Sequence, residues 1–265
     1  MLKTRVLTAF PLAVLAVVLV FVLPTAWFAL LVGLLILLGI WEWATLCGLK
    51  DLRSRTLLLL ATIVLATLLW YLPSPAVLWF LSVSVLWWLW SFLLLPSPVS
   101  HSRLLGAGRG LFIFVPAWFA LQWLHQQPTF GPFLALSVLL VVWMADTGAY
   151  FAGRRWGRHQ LAPRISPGKT IEGAAGGLLL VLLYALFSSY WLVTTPVGLL
   201  WWVITCLCSA IFSILGDLLE SRQKRHAGVK DSGSLLPGHG GMLDRIDSLT
   251  AALPLYALLW YTLRP

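Results

Sequence analysis

Five carboxylates and five cations crowd into residues 217–247 of a 265-residue chain that holds only nine acids and 18 lysines and arginines. The acids are Asp217, Glu220, Asp231, Asp244 and Asp247, and the cations are Arg222, Lys224, Arg225, Lys230 and Arg245. If the helix carrying Asp217 continues, Asp217, Glu220, Ser221 and Lys224 fall at i, i+3, i+4 and i+7, on one face. Asp244 and Asp247 are three apart at the start of the next helix and again share a face. Two helix ends then aim carboxylates at one pocket. Clustered oxygen donors without Cys or paired His suit a hard divalent cation such as Mg²⁺. The lysines and arginines among them call for an anionic partner too. Phosphoryl transfer uses that mixture: metal neutralises phosphate oxygens while side-chain cations hold the remaining charge. Gly238, Gly240 and Gly241 open the backbone N–H groups of the loop to a phosphate, and His239 would hydrogen-bond substrate or orient an acid. The plainer alternative is a solvated connector with internal salt bridges, and the ordered spacing at both helix ends argues against it.

A second polar segment lies upstream. "RISPGKTIEG", residues 164–173, offers Ser166, Lys169 and Thr170. It is not a P-loop: that pattern needs glycine five residues before Gly168, where this chain has Pro163, and no strand is expected before it. Thr170 is placed to cap a helix beginning near Ile171, and a helix amino end with Lys169 beside it suits a phosphate. Gly173 and Gly177 form a small-xxx-small pair that packs helices either within one chain or across a homodimer. Asp146, at the end of the preceding apolar run, needs a cation, metal or water as partner, because a carboxylate buried alone is costly.

The elements that must position these groups are apolar. The chain is 60% hydrophobic and 10% charged, with 16 Trp, and its mean hydropathy is +0.91. Soluble domains carry about 25% charged residues. Apolar runs fall near 6–23, 26–48, 56–72, 76–95, 111–126, 132–151, 173–193, 196–216 and 248–263, and runs of about 20 residues are membrane-spanning length. In lipid the backbone must satisfy itself, so these runs are helices. The expected fold is an all-α, polytopic integral membrane protein with about nine transmembrane helices. It reads as a single membrane domain: 1–110 as N-terminal helices, and 111–265 as a catalytic region with loops 152–172 and 217–247.

Connectors alternate between uncharged and basic. The basic ones, around Lys50/Arg53/Arg55, Arg103/Arg109, Arg154–Lys169 and Arg222–Arg245, follow every second span and so share the cytoplasmic side. Lys3 and Arg5 run against that parity, and four consistent loops outweigh them. The net charge of +9 is therefore a topological signal rather than a nucleic-acid surface. Cys47, Cys206 and Cys208 lie in apolar runs without metal or redox spacing and read as small buried hydrophobes. No cleavable signal is evident. Glu42, in "GIWEWATL", is an intramembrane carboxylate; flanked by Trp41 and Trp43, it reads as an interfacial group outside the site.

The motif that begins at Ser221 resembles the signature of the phosphatidate cytidylyltransferase family, also called CDP-diacylglycerol synthases. The matching residues are Ser221, Lys224-Arg225, Lys230-Asp231, Gly233, Leu236-Pro237, His239-Gly240-Gly241, Met242 and Asp244-Arg245-Ile246-Asp247, without departure over 27 positions. "DTGAYFAGRRWG" and "SPGKTIEG" also resemble the family, so the later half of the chain carries the likeness. The resemblance implies a nucleotidyltransferase that takes CTP and phosphatidic acid and yields CDP-diacylglycerol and pyrophosphate for phospholipid synthesis. It would sit in the bacterial cytoplasmic (inner) membrane with its active site facing the cytoplasm. Asp217 and Asp244 are then the first choices as Mg²⁺ ligands, with Asp247 and Glu220 as ligands or support, and a second cation is left open. Ser221 and Lys224 join the acids in the catalytic set. Arg225, Lys230, Arg245, Ser166 and Lys169 would bind phosphates, while Asp231, His239, Gly240 and Gly241 would shape the substrate site. A transporter would instead distribute its charges near the midplane of several spans. A lipid-alcohol kinase using CTP would release CDP.

Overall fold

The computed structural model describes residues 2–97, 102–192, 195–235 and 240–262, with side chains described from residue 11 onward, residue 12 excepted. Nine helices and one small hairpin make up these residues: α1 (Leu2–Val22), α2 (Thr25–Leu46), α3 (Leu52–Trp70), α4 (Ser74–Leu93), α5 (Arg103–His125), α6 (Gly131–Trp156), β1 (Gln160–Ala162), β2 (Ser166–Thr170), α7 (Ile171–Leu192), α8 (Pro196–His226) and α9 (Leu243–Thr262). The helices start where the sequence supplies first-turn chemistry. Asp51, Ser102 and Thr195 accept hydrogen bonds from the backbone N–H groups of Ser54, Leu105 and Gly198. Pro75, Pro132 and Pro196 sit in the first turns of α4, α6 and α8, where no N–H is missed.

α2 through α8 are long and apolar enough to cross a membrane. Their outward faces carry continuous apolar stripes at helical spacing, such as Trp79, Val83, Leu86, Trp90 and Leu93 on α4, or Leu179, Leu183, Phe187 and Tyr190 on α7. Such surfaces are stable only against lipid. The protein is an all-α integral membrane protein, as expected. α9 opens with Asp244, Arg245 and Asp247, yet its middle is enclosed. Residues Thr250 to Ala257 are all buried, and α9 packs against α2, α4, α5, α6 and α8.

Two helix pairs approach closely at the polar end of the bundle. A Cβ on Gly148 of α6 would meet the carbonyl oxygen of Gly176 on α7 at 2.6 Å, and one on Gly177 would meet that of Ala145 at 2.5 Å. The Gly173/Gly177 pair is therefore spent on α6 within the chain. A Cβ on Gly216 of α8 would meet the carbonyl oxygen of Asp247 on α9 at 2.5 Å, so α8 and α9 touch where their acids begin.

The hairpin corrects the expectation that no strand lies near "SPGKT". β1 and β2 pair antiparallel, Gln160 with Thr170 and Ala162 with Ser166. Glu172 in the first turn of α7 fastens the entry to β1. It accepts from the backbone N–H groups of Arg158 and His159 and lies 2.5 Å from the His159 ring. Thr170 caps α7 by accepting from the Gly173 N–H at 3.0 Å, as its position predicts.

Candidate active site

α8 continues as one helix ten residues beyond its apolar part, to His226. Asp217, Glu220, Ser221 and Lys224 therefore share a face, and α9 presents Asp244 and Asp247 to it. Lys224, 7% exposed, bridges the two helices: its Nζ lies 2.6 Å from Asp244 Oδ1 and 2.9 Å from Glu220 Oε1. The hairpin adds Lys169, whose Nζ lies 2.6 Å from Asp217 Oδ2. Ser221 donates to Asp217 Oδ1 at 3.0 Å. Asp146, near the end of α6, is within electrostatic reach of Asp217, Lys169 and Arg245. The two loops that the sequence separates thus meet in one ionic cluster.

Glu220 is the least satisfied member. It is 3% exposed and neither carboxylate oxygen has an aligned hydrogen-bond donor, although Lys224 stands close to one of them. Its carboxyl group lies within hydrogen-bonding reach of that of Asp247. Two carboxyl groups in that relation require a shared proton or a bound cation, because two bare charges there repel.

Asp244 differs from the expectation. Its Oδ1 faces Lys224, and its Oδ2 accepts from the Ser232 N–H at 3.0 Å, the Ser232 hydroxyl at 3.0 Å and the Gly241 N–H at 2.8 Å. It folds the loop back onto the start of α9, and its oxygens are occupied by protein donors. The four expected metal ligands are not gathered into one cage. Among the described residues no three metal-binding side chains stand close enough to form one. Glu220 is the acid whose oxygens lack a hydrogen-bond donor, and Asp247 lies beside it, while Asp217 is held by Lys169 and Ser221. Gly241 also departs from its expected part, since its N–H serves Asp244. Gly240 has φ of +82° and is held to glycine by its left-handed backbone.

The residue that sequence reasoning left out is Glu42. It is a buried anchor rather than an interfacial group: its carboxylate accepts from the Met242 N–H at 3.0 Å, the Leu243 N–H at 2.8 Å and the Ser232 hydroxyl at 2.8 Å. That hydroxyl reaches both Glu42 and Asp244, and its single proton serves one at a time. Two signature glycines make room for this carboxylate. A Cβ on Gly233 would meet Glu42 Oε1 at 2.6 Å, and one on Gly241 would collide with Glu42 Oε2. The signal available in sequence was a carboxylate within an apolar run.

Of the remaining expected residues, Arg225 is exposed and donates to the carbonyls of Ile165 and Val229, tying the hairpin to the loop. Ser166 lies on β2, on the same strand as Lys169. Lys230 and Asp231 are exposed on the loop. Arg245, exposed at the start of α9, stays within reach of Asp146. His239 lies outside the described residues.

Fold and site together define a polytopic membrane protein with a charged cluster at one end of its bundle. A family model described as "Cytidylyltransferase family" matches residues 3–263, and the chain belongs to that family. It is 43% identical over 265 residues to a Pseudomonas aeruginosa protein named phosphatidate cytidylyltransferase, covering 98% of this chain and 97% of that one. A Haemophilus influenzae protein of the same name is 38% identical, covering 98% and 99%. A Staphylococcus saprophyticus protein of that name is 46% identical over 138 residues, covering 52% of this chain and 53% of that one.

Proposed function

We propose that this protein is a phosphatidate cytidylyltransferase that moves CMP from CTP to phosphatidic acid, giving CDP-diacylglycerol and pyrophosphate. The observation that carries the reading is the interlocked set of Lys169, Lys224, Asp217, Glu220 and Asp247 at the junction of α8, α9 and the hairpin. Both substrates are anions. A phosphate oxygen of phosphatidic acid attacks the α-phosphorus of CTP, a new P–O bond forms, and the bond to pyrophosphate breaks. No protein nucleophile is needed, since the lipid phosphate is already ionised.

Lys169 and Lys224 are cations held in waiting by carboxylates. When phosphates enter, Lys169 exchanges Asp217 for a phosphate oxygen, and Lys224 holds charge while keeping α8 and α9 together. The carboxylates released face a cation instead. Hard oxygen donors and the unsatisfied oxygens of Glu220 suit Mg²⁺, and Asp217, Glu220 and Asp247 would have to draw together to hold it, since they are not gathered into a cage as they stand. Bound there, the metal supplies charge neutralisation to the phosphate oxygens. Glu42 and Asp244 keep the loop fixed while this exchange occurs. The site faces the cytoplasm from a bacterial inner membrane, where CTP arrives from water and phosphatidic acid from the bilayer. The basic connectors on that side support this orientation.

The test is purification of Asp217→Ala and Glu220→Gln in detergent, with CDP-diacylglycerol formation assayed against Mg²⁺. Each substitution is expected to lower turnover at least about 100-fold, the size of a lost charge-stabilising contact. Chelation should abolish wild-type turnover and Mg²⁺ restore it. Wild-type turnover in correctly folded Asp217→Ala, or turnover indifferent to chelation, would overturn the assignment.

A further inference from the structure

A second cationic site stands behind the first. A cavity of about 290 Å³ lies between α2, α4, α5 and α8, lined by Trp43, Trp87, Trp90, Leu94, Arg109 and Arg222 among others. It is not the pocket described above. On α8 the cavity touches Leu219, Arg222 and Gln223, which at 3.6 residues per turn lie roughly half a turn away from Asp217, Glu220, Ser221 and Lys224.

Its charge is unbalanced. Arg109 and Arg222 both line the cavity and lie within electrostatic reach of each other. Both are partly buried. All nine acids of the chain are among the described residues, and none forms an ion pair with either arginine. Arg222 donates to the carbonyl oxygen of Ser97, a neutral acceptor that leaves its charge uncompensated. With one N–H spent on Ser97, the two guanidiniums still offer forked donors that match a phosphate.

The walls point to the kind of anion. Trp43, Trp87 and Trp90 give it aromatic lining. Trp43 is held by its indole N–H, which donates to the Gly106 carbonyl at 2.9 Å. Gln223 is held by its amide, which donates to the Leu46 carbonyl at 3.2 Å. Trp90 is 61% exposed and stands in the outward, lipid-facing stripe of α4 while also lining the cavity, so the cavity meets the bilayer at its side. Its volume lies at the small end of ligand pockets, about 300–1,000 Å³. That is enough for a phosphate-bearing headgroup, with acyl chains left outside along α4. Basic pockets between spanning helices bind anionic headgroups for these reasons.

We propose that this cavity holds the headgroup of an anionic phospholipid, its phosphate between Arg109 and Arg222 and its chains in the bilayer beside Trp90, as a lipid site separate from the catalytic pocket. The lipid would bind the back of the helix whose front carries Asp217 to Lys224.

The full chain would be placed in phosphatidylcholine nanodiscs containing phosphatidylglycerol with brominated acyl chains, and tryptophan quenching compared with that by brominated phosphatidylcholine at equal mole fraction. The expected result is saturable extra quenching by the anionic lipid. Its half-saturation should weaken about fivefold for each guanidinium removed in Arg109→Gln and Arg222→Gln, the worth of one basic residue near an anionic headgroup. Trp90→Phe should shrink the extra signal, and Lys169→Met, which strips a cation from the catalytic pocket, should leave it intact. Equal quenching by the two lipids in the wild type would overturn the proposal without any variant being needed. Loss of the signal in Lys169→Met would also overturn it, by assigning the lipid to the catalytic pocket. So would displacement of the signal by millimolar inorganic phosphate, which would make the cavity a free-anion site.

Discussion

Glu42 and the residues it holds show how much of the chemistry rests on one carboxylate far from the signature. Removing it in Glu42→Ala leaves the Met242 and Leu243 N–H groups without their acceptor in a buried place, while the Ser232 hydroxyl keeps Asp244 as its acceptor. Each such loss costs about 1–3 kcal/mol, so a loss of several kcal/mol in stability is expected, readable as a lowered melting temperature in detergent. Faster hydrogen exchange over the Ser232–Leu243 backbone should accompany it. Gly233→Ala pushes a methyl group into the same carboxylate. It should destabilise the wild type and cost little more in the Glu42→Ala background, a coupling of about 1 kcal/mol or more in a double-mutant cycle. Additive effects would show that the glycine serves another purpose. Lys224→Met is the harsher change, because it strands Glu220 and Asp244. Removing one partner of a buried ion pair costs about 3–5 kcal/mol, which a denaturation assay should register as loss of the folded form. The sequence announced Lys224 and Asp217 through their helical spacing. Glu42 was visible only as a carboxylate in an oily run, because its partners lie about 190 residues away and no local pattern encodes a contact across helices.

At the scale of elements, the site depends on two close helix approaches, α6 against α7 and α8 against α9. Gly148→Leu would drive a side chain into the backbone of Gly176 and Gly177. α7 must then move away, carrying the hairpin and Lys169 from Asp217. Overpacking alone typically costs about 1–3 kcal/mol. The discriminating readout is a raised KM for CTP with the protein still assembled in the membrane, as expected if Lys169 is displaced. Much of this level was legible: all nine apolar runs became helices, and the one-face arrangement on α8 follows from its continuing to His226. α5 begins at Arg103, about eight residues before its apolar run. Gly106, Arg109 and Gly110 lower the local hydropathy there, yet packing against Cys47 and Trp43 keeps the backbone helical. The hairpin was missed because strands of three and five residues are too short to show an alternating pattern, and because Pro167 and Gly168 read as a turn.

At the scale of the whole molecule, apolar faces look outward and α9, whose first turns carry Asp244, Arg245 and Asp247, packs against five other helices. That arrangement places the ionic cluster of α8, α9 and the hairpin at the end of the bundle. Fold class and family were readable from composition and from the unbroken motif between Ser221 and Asp247. The ionic partnerships were not, because Lys169 and Asp217 meet only once α6, α7 and α8 have packed. The central claim is that this site joins CMP to phosphatidic acid. It is tested most directly by giving the purified chain phosphatidic acid and Mg²⁺ with CTP labelled at either the α- or the γ-phosphate, then following each label. The account predicts that α-label enters the lipid as CDP-diacylglycerol while γ-label leaves in pyrophosphate. Recovery of γ-label on the lipid with release of CDP, or of neither label in lipid from a folded protein, would contradict it.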